Sequence, residues 1–185
     1  MSGALVVMGV SGCGKSTLAK AIAVALGWHF IEGDDCHPAS NIAKMRAGIP
    51  LCDSDRWPFL NSVAATLRRY VDVGAVASCS ALRLSYRDRI RAECCQVRFV
   101  LPVVSPDCLK ARMASREGHF MPVSLLESQI ASLELPTATE QAIYVDGAAS
   151  TAEQVRQALS ALGPNARAKS GTSSLPHRSA GSGAV

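Results

Sequence analysis

Gly9, Gly14, Lys15 and Ser16 stand in the order G-x-x-x-x-G-K-S within "VVMGVSGCGKSTLAK", residues 6–20. An apolar run leads into this stretch and a helical pattern leads out of it, the setting in which such a loop cradles phosphate. Gly12 and Gly14 admit backbone angles that a side chain forbids, so successive N–H groups can turn inward around an anion. The first turn of the helix adds unpaired N–H groups and the positive end of its dipole. Lys15 is placed to reach the β- and γ-phosphates, Ser16 to ligate Mg²⁺ and Thr17 to contact the α-phosphate. The nucleotide-contacting set is therefore Gly9, Val10, Ser11, Gly12, Cys13, Gly14, Lys15, Ser16 and Thr17. A glycine turn with a solvated lysine is the bland alternative, and the strand-loop-helix context weighs against it.

The destination of the phosphate is a separate question. No N-K-x-D or D-x-x-G pattern of a guanine-reading switch follows the third apolar run. The carboxylate pair Asp34-Asp35 instead ends the second run, beside the phosphate loop in a doubly wound sheet. A carboxylate there can orient an acceptor hydroxyl and take its proton during phosphoryl transfer. An acidic loop cap would leave the same residues in the same place, and the spacing alone does not separate the two.

The elements that must hold these groups can be read along the chain. Residues 4–9 form a continuous apolar strand of the kind a parallel sheet buries on both faces. Leu18, Ile22 and Leu26 make a helical stripe over 15–26, ended by Gly27. "HFIEGDD" predicts a short strand that breaks into a polar loop, and 38–48 a helix between Pro38 and Gly48. A longer helix is expected from Pro58 to about residue 71. Strands are expected at 74–82, 96–103 and 142–146, with helices at 84–94, 106–116, 123–134 and 151–162. This alternation predicts an α/β fold with about five parallel strands and helices on both faces. Residues 1–162 are expected to form one kinase-sized domain, and the Ser/Gly/Ala-rich stretch 163–185 a flexible tail.

Composition narrows the class. The chain has 185 residues, 48% hydrophobic and 18% charged, with a net charge of +4. No run approaches the roughly 20 apolar residues that span a bilayer, so no membrane association is expected. Basic residues are not interleaved with aromatics in a dense block, which argues against nucleic acid. Seven cysteines, an odd number with no C-x-x-C spacing, predict reduced thiols and a cytoplasmic protein.

"GVSGCGKSTLAKAIA", "FIEGDDCHPASNIAKMRAGIPLCDSDRWPFL", "SCSALRLSYRDRIR" and "REGHFMPVSLLESQIASLE" together resemble the gluconate kinases. These are small P-loop kinases related in fold to shikimate and adenylate kinases. The resemblance runs from about Met8 to Asp146. It implies ATP- and Mg²⁺-dependent phosphorylation of D-gluconate to 6-phosphogluconate, in a cytoplasmic homodimer. It implies Lys15, Asp34 and Arg116 as catalytic groups, with Asp34 the base. Arg112 and Arg116 precede "GHFMP", which resembles the family's lid; Arg116 is expected on the phosphates, and Arg112 beside it or stacked near the adenine. For the sugar acid the resemblance offers Asp34, His37, Lys44, Arg46, Arg56, Arg83 and His119. By analogy with shikimate kinases Arg56 is favoured for the carboxylate, with Arg46 second. Arg83 replaces the family's usual lysine, which alters the shape of that contact. A kinase for another small hydroxy acid such as shikimate, or a non-catalytic nucleotide-binding module, are the competing readings.

Overall fold

The computed structural model describes residues 3–114 and 123–163. Five parallel strands, β1 (Ala4–Val7), β2 (His29–Ile31), β3 (Ala75–Ser78), β4 (Val97–Val103) and β5 (Ile143–Asp146), lie in the order β2-β3-β1-β4-β5. The helices are α1 (Lys15–Leu26), α2 (Ala39–Arg46), α3 (Asp53–Tyr70), α4 (Leu84–Glu93), α5 (Pro106–Ala114), α6 (Val123–Ser132) and α7 (Thr151–Leu162). The chain reverses its direction of travel across the sheet at β1, which puts a crevice at the carboxyl ends of β1 and β3.

Both faces of the sheet are covered, so β1 is apolar along its whole length and buried at every residue. Alternate strand residues feed opposite cores. Val6, Met8, Ala77 and Phe99 pack against Leu60, Val63 and Leu67 of α3 and Ile90 of α4. Leu5, Val7, Val76 and Val100 pack against Leu18 and Ile22 of α1 and Ala158 of α7.

The elements fall close to their sequence patterns, but β3 ends at Ser78, short of the expected residue 82, β1 ends at Val7, short of residue 9, and one helix start is displaced. Helix α3 begins at Asp53, five residues before the proline expected to open it. The reason is local. Asp55 accepts from the Cys52 N–H in a reciprocal cap, and Asp53 and Asp55 place negative charge against the helix dipole. Pro58 then sits inside the helix. The displacement matters, because it puts Arg56 on the first turns of a helix instead of in a loop.

One buried ion network ties the fold together behind the crevice. Arg87 is 1% exposed, donates from Nε and Nη2 to Glu140 at 2.6 and 2.8 Å, and donates from Nη1 to the Leu82 and Glu134 carbonyls at 3.2 and 3.0 Å. The hydrogen bond from Arg87 chiefly, with help from Arg91, holds the Glu140 carboxyl at about 2. A carboxyl held below its unfolded value of about 4.5 contributes stability above that pH and loses it as pH falls towards 2. Glu140→Gln leaves Arg87 charged and buried without its counterion. The expected cost is about 3 kcal/mol, read as a lower denaturation midpoint at pH 7, with the difference from wild type shrinking below pH 4.

Candidate active site

The phosphate loop follows β1 and ends at Gly14, whose φ of 91° is left-handed and turns the chain into α1. Its amides line a cavity of about 100 Å³ together with Lys15, Ser16 and Thr17. Lys15 Nζ donates to the Val10 carbonyl at 3.0 Å, so the ammonium is folded across the mouth of its own loop. A polyphosphate would compete for that ammonium with several anionic oxygens against one carbonyl. The Ser80 carbonyl accepts from the Gly9 N–H at 3.1 Å and latches the loop to the end of β3.

Asp34 and His37 face the loop across the same cavity, and Arg56 completes the wall. Asp34 lies on a 3-10 turn, Gly33–Cys36, directly after β2. Position 33 is pressed against β3. A Cβ there would meet the Ser78 carbonyl at 1.8 Å, and the Gly33 N–H donates to Ser78 Oγ at 3.0 Å. Only glycine allows that approach, and the approach sets where Asp34 emerges.

Glu32, which the sequence reading passed over, belongs to this site. Ser16 Oγ donates to Glu32 Oε1 at 3.2 Å, and Ser78 Oγ donates to the same oxygen. The hydroxyl and carboxylate oxygens of Ser16 and Glu32 are hard donors, the type that Mg²⁺ prefers. Among the described residues no cluster of three or more His, Cys, Asp or Glu forms a metal cage.

The cations expected to bind substrate separate by their partners. Lys44 Nζ donates to Asp55 Oδ1 at 2.7 Å, and Arg83 Nη1 pairs with Asp53 at 3.2 Å. Neither lines the cavity, and neither does Arg46, which is exposed at the end of α2. Arg56 does line it, and among the described residues no carboxylate pairs with its guanidinium; it rests 5.7 Å from the centroid of the Tyr86 ring instead. Tyr86 is fixed in turn by an O–H donated to Asp53. Arg56 is thus positioned in the cavity wall, with no carboxylate paired to it among the described residues. Arg112 lies outside this cavity and donates from Nη2 to the Gly147 carbonyl at 2.8 Å. Arg116 and His119 fall outside the described residues.

His37 is stacked on Phe59, with ring centroids 3.7 Å apart, and its Nδ1 lies 3.3 Å from Asn41 Nδ2. Asn41 Nδ2 also donates to the Asp55 carbonyl at 2.7 Å, tying α2 to the start of α3. Burial, reinforced by Arg56 and opposed by Asp34, pulls the His37 pKa down to about 4. The imidazole is neutral at pH 7 and serves as a hydrogen-bonding wall. On α6, Gln129 Oε1 accepts from the Ser11 N–H at 2.7 Å, so α6 touches the phosphate loop directly.

A strand-loop-helix phosphate cradle facing a carboxylate and a lone guanidinium narrows the choice of relatives. Residues 5–136 match the family model described as an AAA domain. The gluconokinase of Gluconobacter oxydans (strain 621H) is 50% identical over 145 residues, covering 77% of this chain and 82% of its own. The chain belongs to the gluconokinase family. A gluconokinase crystal structure from Sinorhizobium meliloti 1021 superposes with a TM-score of 0.80 at 48% identity, covering 87% of this chain and 91% of its own. The shikimate kinase of Aquifex aeolicus vf5, at 14% identity and a TM-score of 0.58 over 88% of this chain and 98% of its own, shares the fold. This gluconokinase-family chain is a P-loop phosphotransferase. Among its described residues no helix is long and apolar enough to cross a membrane.

The histidine supplies a pH test with a definite sign. The unfolded chain protonates position 37 near pH 6.5 and the folded chain only near 4, so folding stability falls as pH drops through that interval. His37→Asn removes this component. The stability gap between wild type and variant in chemical denaturation should therefore narrow from pH 7 to pH 4; a gap that widens would mean the imidazole is charged in the fold.

Proposed function

We propose that the protein transfers the γ-phosphoryl group of ATP to the 6-hydroxyl of D-gluconate, giving 6-phosphogluconate and ADP. The observation that carries this reading is a single cavity bounded by Lys15 and Ser16 on one side and by Asp34 and Arg56 on the other. In it the loop amides and the first turn of α1 hold the β- and γ-phosphates. Lys15 leaves the Val10 carbonyl for the phosphate oxygens and balances the charge that develops on them. Mg²⁺, held through Ser16 Oγ and the Glu32 carboxylate, would neutralise further phosphate charge.

Arg56 binds the sugar-acid carboxylate, and the opposite end of the acceptor chain then points its terminal hydroxyl at Asp34. Asp34 orients that hydroxyl and accepts its proton as the oxygen attacks phosphorus. The bond from phosphorus to the ADP oxygen breaks as the new one forms. Neutral His37 offers the acceptor hydroxyls a partner without a competing charge. Arg116 and His119 are assigned, on the resemblance alone, to the closing lid, where Arg116 meets the transferring phosphoryl group and water is kept out. Seven free thiols suit a cytoplasmic enzyme, and the homodimer stays part of this proposal.

ADP release measured with gluconate, shikimate and nucleosides as acceptors tests the reading. Gluconate should be turned over and the others not; turnover of shikimate alone would reassign the acceptor. Asp34→Asn should lower kcat by about 10²–10⁴-fold with ATP affinity nearly unchanged. Arg56→Ala should raise the KM for gluconate by at least about tenfold, whereas Arg83→Ala, whose charge Asp53 already neutralises, should move it far less.

A further inference from the structure

Asn41 does not line the cavity that holds Asp34 and Arg56, yet it is 2% exposed on α2 and bonds to His37 in the cavity wall. We propose that Asn41 is a positioning residue. It fixes the single proton of His37 on Nε2, so that His37 and Arg56 meet the lone-pair oxygens of the acceptor as two donors. The part played by the acceptor rests on the phosphoryl-transfer reading above; the place of the proton does not.

The Asn41 amide has one orientation. Its Nδ2 donates to the Asp55 carbonyl at 2.7 Å. Turned over, the amide would set Oδ1 against that oxygen, two acceptors with no proton between them. Nδ2 therefore keeps its place, and it carries a second hydrogen. His37 Nδ1 lies 3.3 Å from the same nitrogen. An amide nitrogen can only donate, so Nδ1 faces it with a lone pair. Burial keeps the imidazole neutral at pH 7. A neutral ring has one N–H, and with Nδ1 unprotonated that hydrogen is on Nε2.

The ring is held for this task on a second side. It stacks on Phe59 with centroids 3.7 Å apart and planes 6° from parallel, and Phe59 is itself buried. With Nδ1 taken, any hydrogen bond from His37 to a ligand in the cavity is a donation from Nε2. Arg56, in the same wall, also has donors alone, whereas a carboxylate such as Asp34 has acceptors alone. The wall thus divides into a part that gives hydrogens and a part that takes one. A hydroxy acid is the complement: its carboxylate oxygens have no proton to give, and its reacting hydroxyl has one to lose. The opposite tautomer would turn a lone pair of His37 against that carboxylate. One amide serves both donors, because the Asp55 carbonyl that orients Asn41 belongs to the residue before Arg56.

Nitrogen-15 NMR of the ligand-free, histidine-labelled protein at pH 7 reads the tautomer directly. The His37 signals, one set among four histidines, are those missing from His37→Gln. Wild type should show a protonated Nε2 and an unprotonated Nδ1. A proton on Nδ1 in half or more of the molecules overturns the proposal, and that result needs no variant at position 41 to fold. In Asn41→Asp, whose carboxylate accepts, Nδ1 should gain a proton; an Nδ1 that stays unprotonated in the folded variant shows that residue 41 does not set it. Kinetics then test the donated bond, with the acceptor that the ADP-release assay identifies. His37→Gln keeps an N–H at the reach of Nε2 and should hold KM within about threefold of wild type, whereas His37→Met, without a donor, should raise it at least about tenfold with less effect on kcat. Equal losses in the two variants overturn the donor role. The spectra are recorded without nucleotide or acceptor, so failure of the sugar-acid assignment would appear in the ADP-release assay and leave the tautomer measurement intact.

Discussion

The carboxyl ends of β2 and β3 approach so closely at position 33 that a single methyl group would strike a main-chain oxygen. Everything at the site is referred to that contact. It sends Asp34 into the crevice on a tight turn, and it brings the Ser78 hydroxyl within reach of both the Gly33 amide and the Glu32 carboxylate. Glu32 in turn reaches Ser16 at the start of α1. The ends of two strands and the phosphate helix are thus cross-linked through one hydroxyl and one carboxylate. The reacting groups sit on a rigid frame, and the adjustable parts lie further out.

Charge is distributed around that frame with the same economy. The end of α2 and the first turn of α3 are rich in both signs, and several of the ions there are paired: Lys44 with Asp55, and Asp53 with Arg83 from the start of α4. Arg56 and Arg83 both lie over the Tyr86 ring, and Arg56 is set apart because among the described residues no carboxylate pairs with it. Tyr86 is anchored by Asp53, so the pair that removes Arg83 from contention also steadies Arg56. His37, kept neutral by burial against Phe59, adds no further charge to the wall.

Much of this was legible in the sequence because it is local. The G-x-x-x-x-G-K-S loop, the apolar run of β1 and the helical stripe of α1 are set by near neighbours, and each appears where its pattern lies. The start of α3 was misplaced because a proline inside a helix carries the same signal as one opening it; the Cys52–Asp55 cap decided the matter. Which of several arginines and lysines faces the crevice could not be read from spacing, because it depends on ion pairs across 11 and 30 residues of chain. Glu32 was passed over for a related reason. Its partners are hydroxyls contributed by other elements, and such a residue looks like an ordinary polar position in a linear reading.

The rims of the sheet have a consequence for how copies of the chain could meet. One border strand, β2, is three residues long and the other, β5, is four. Borders this brief expose too few unpaired main-chain groups to template a strand from another molecule. Continuous intermolecular sheets are disfavoured by construction, and any self-association has to be built from helical and loop surfaces.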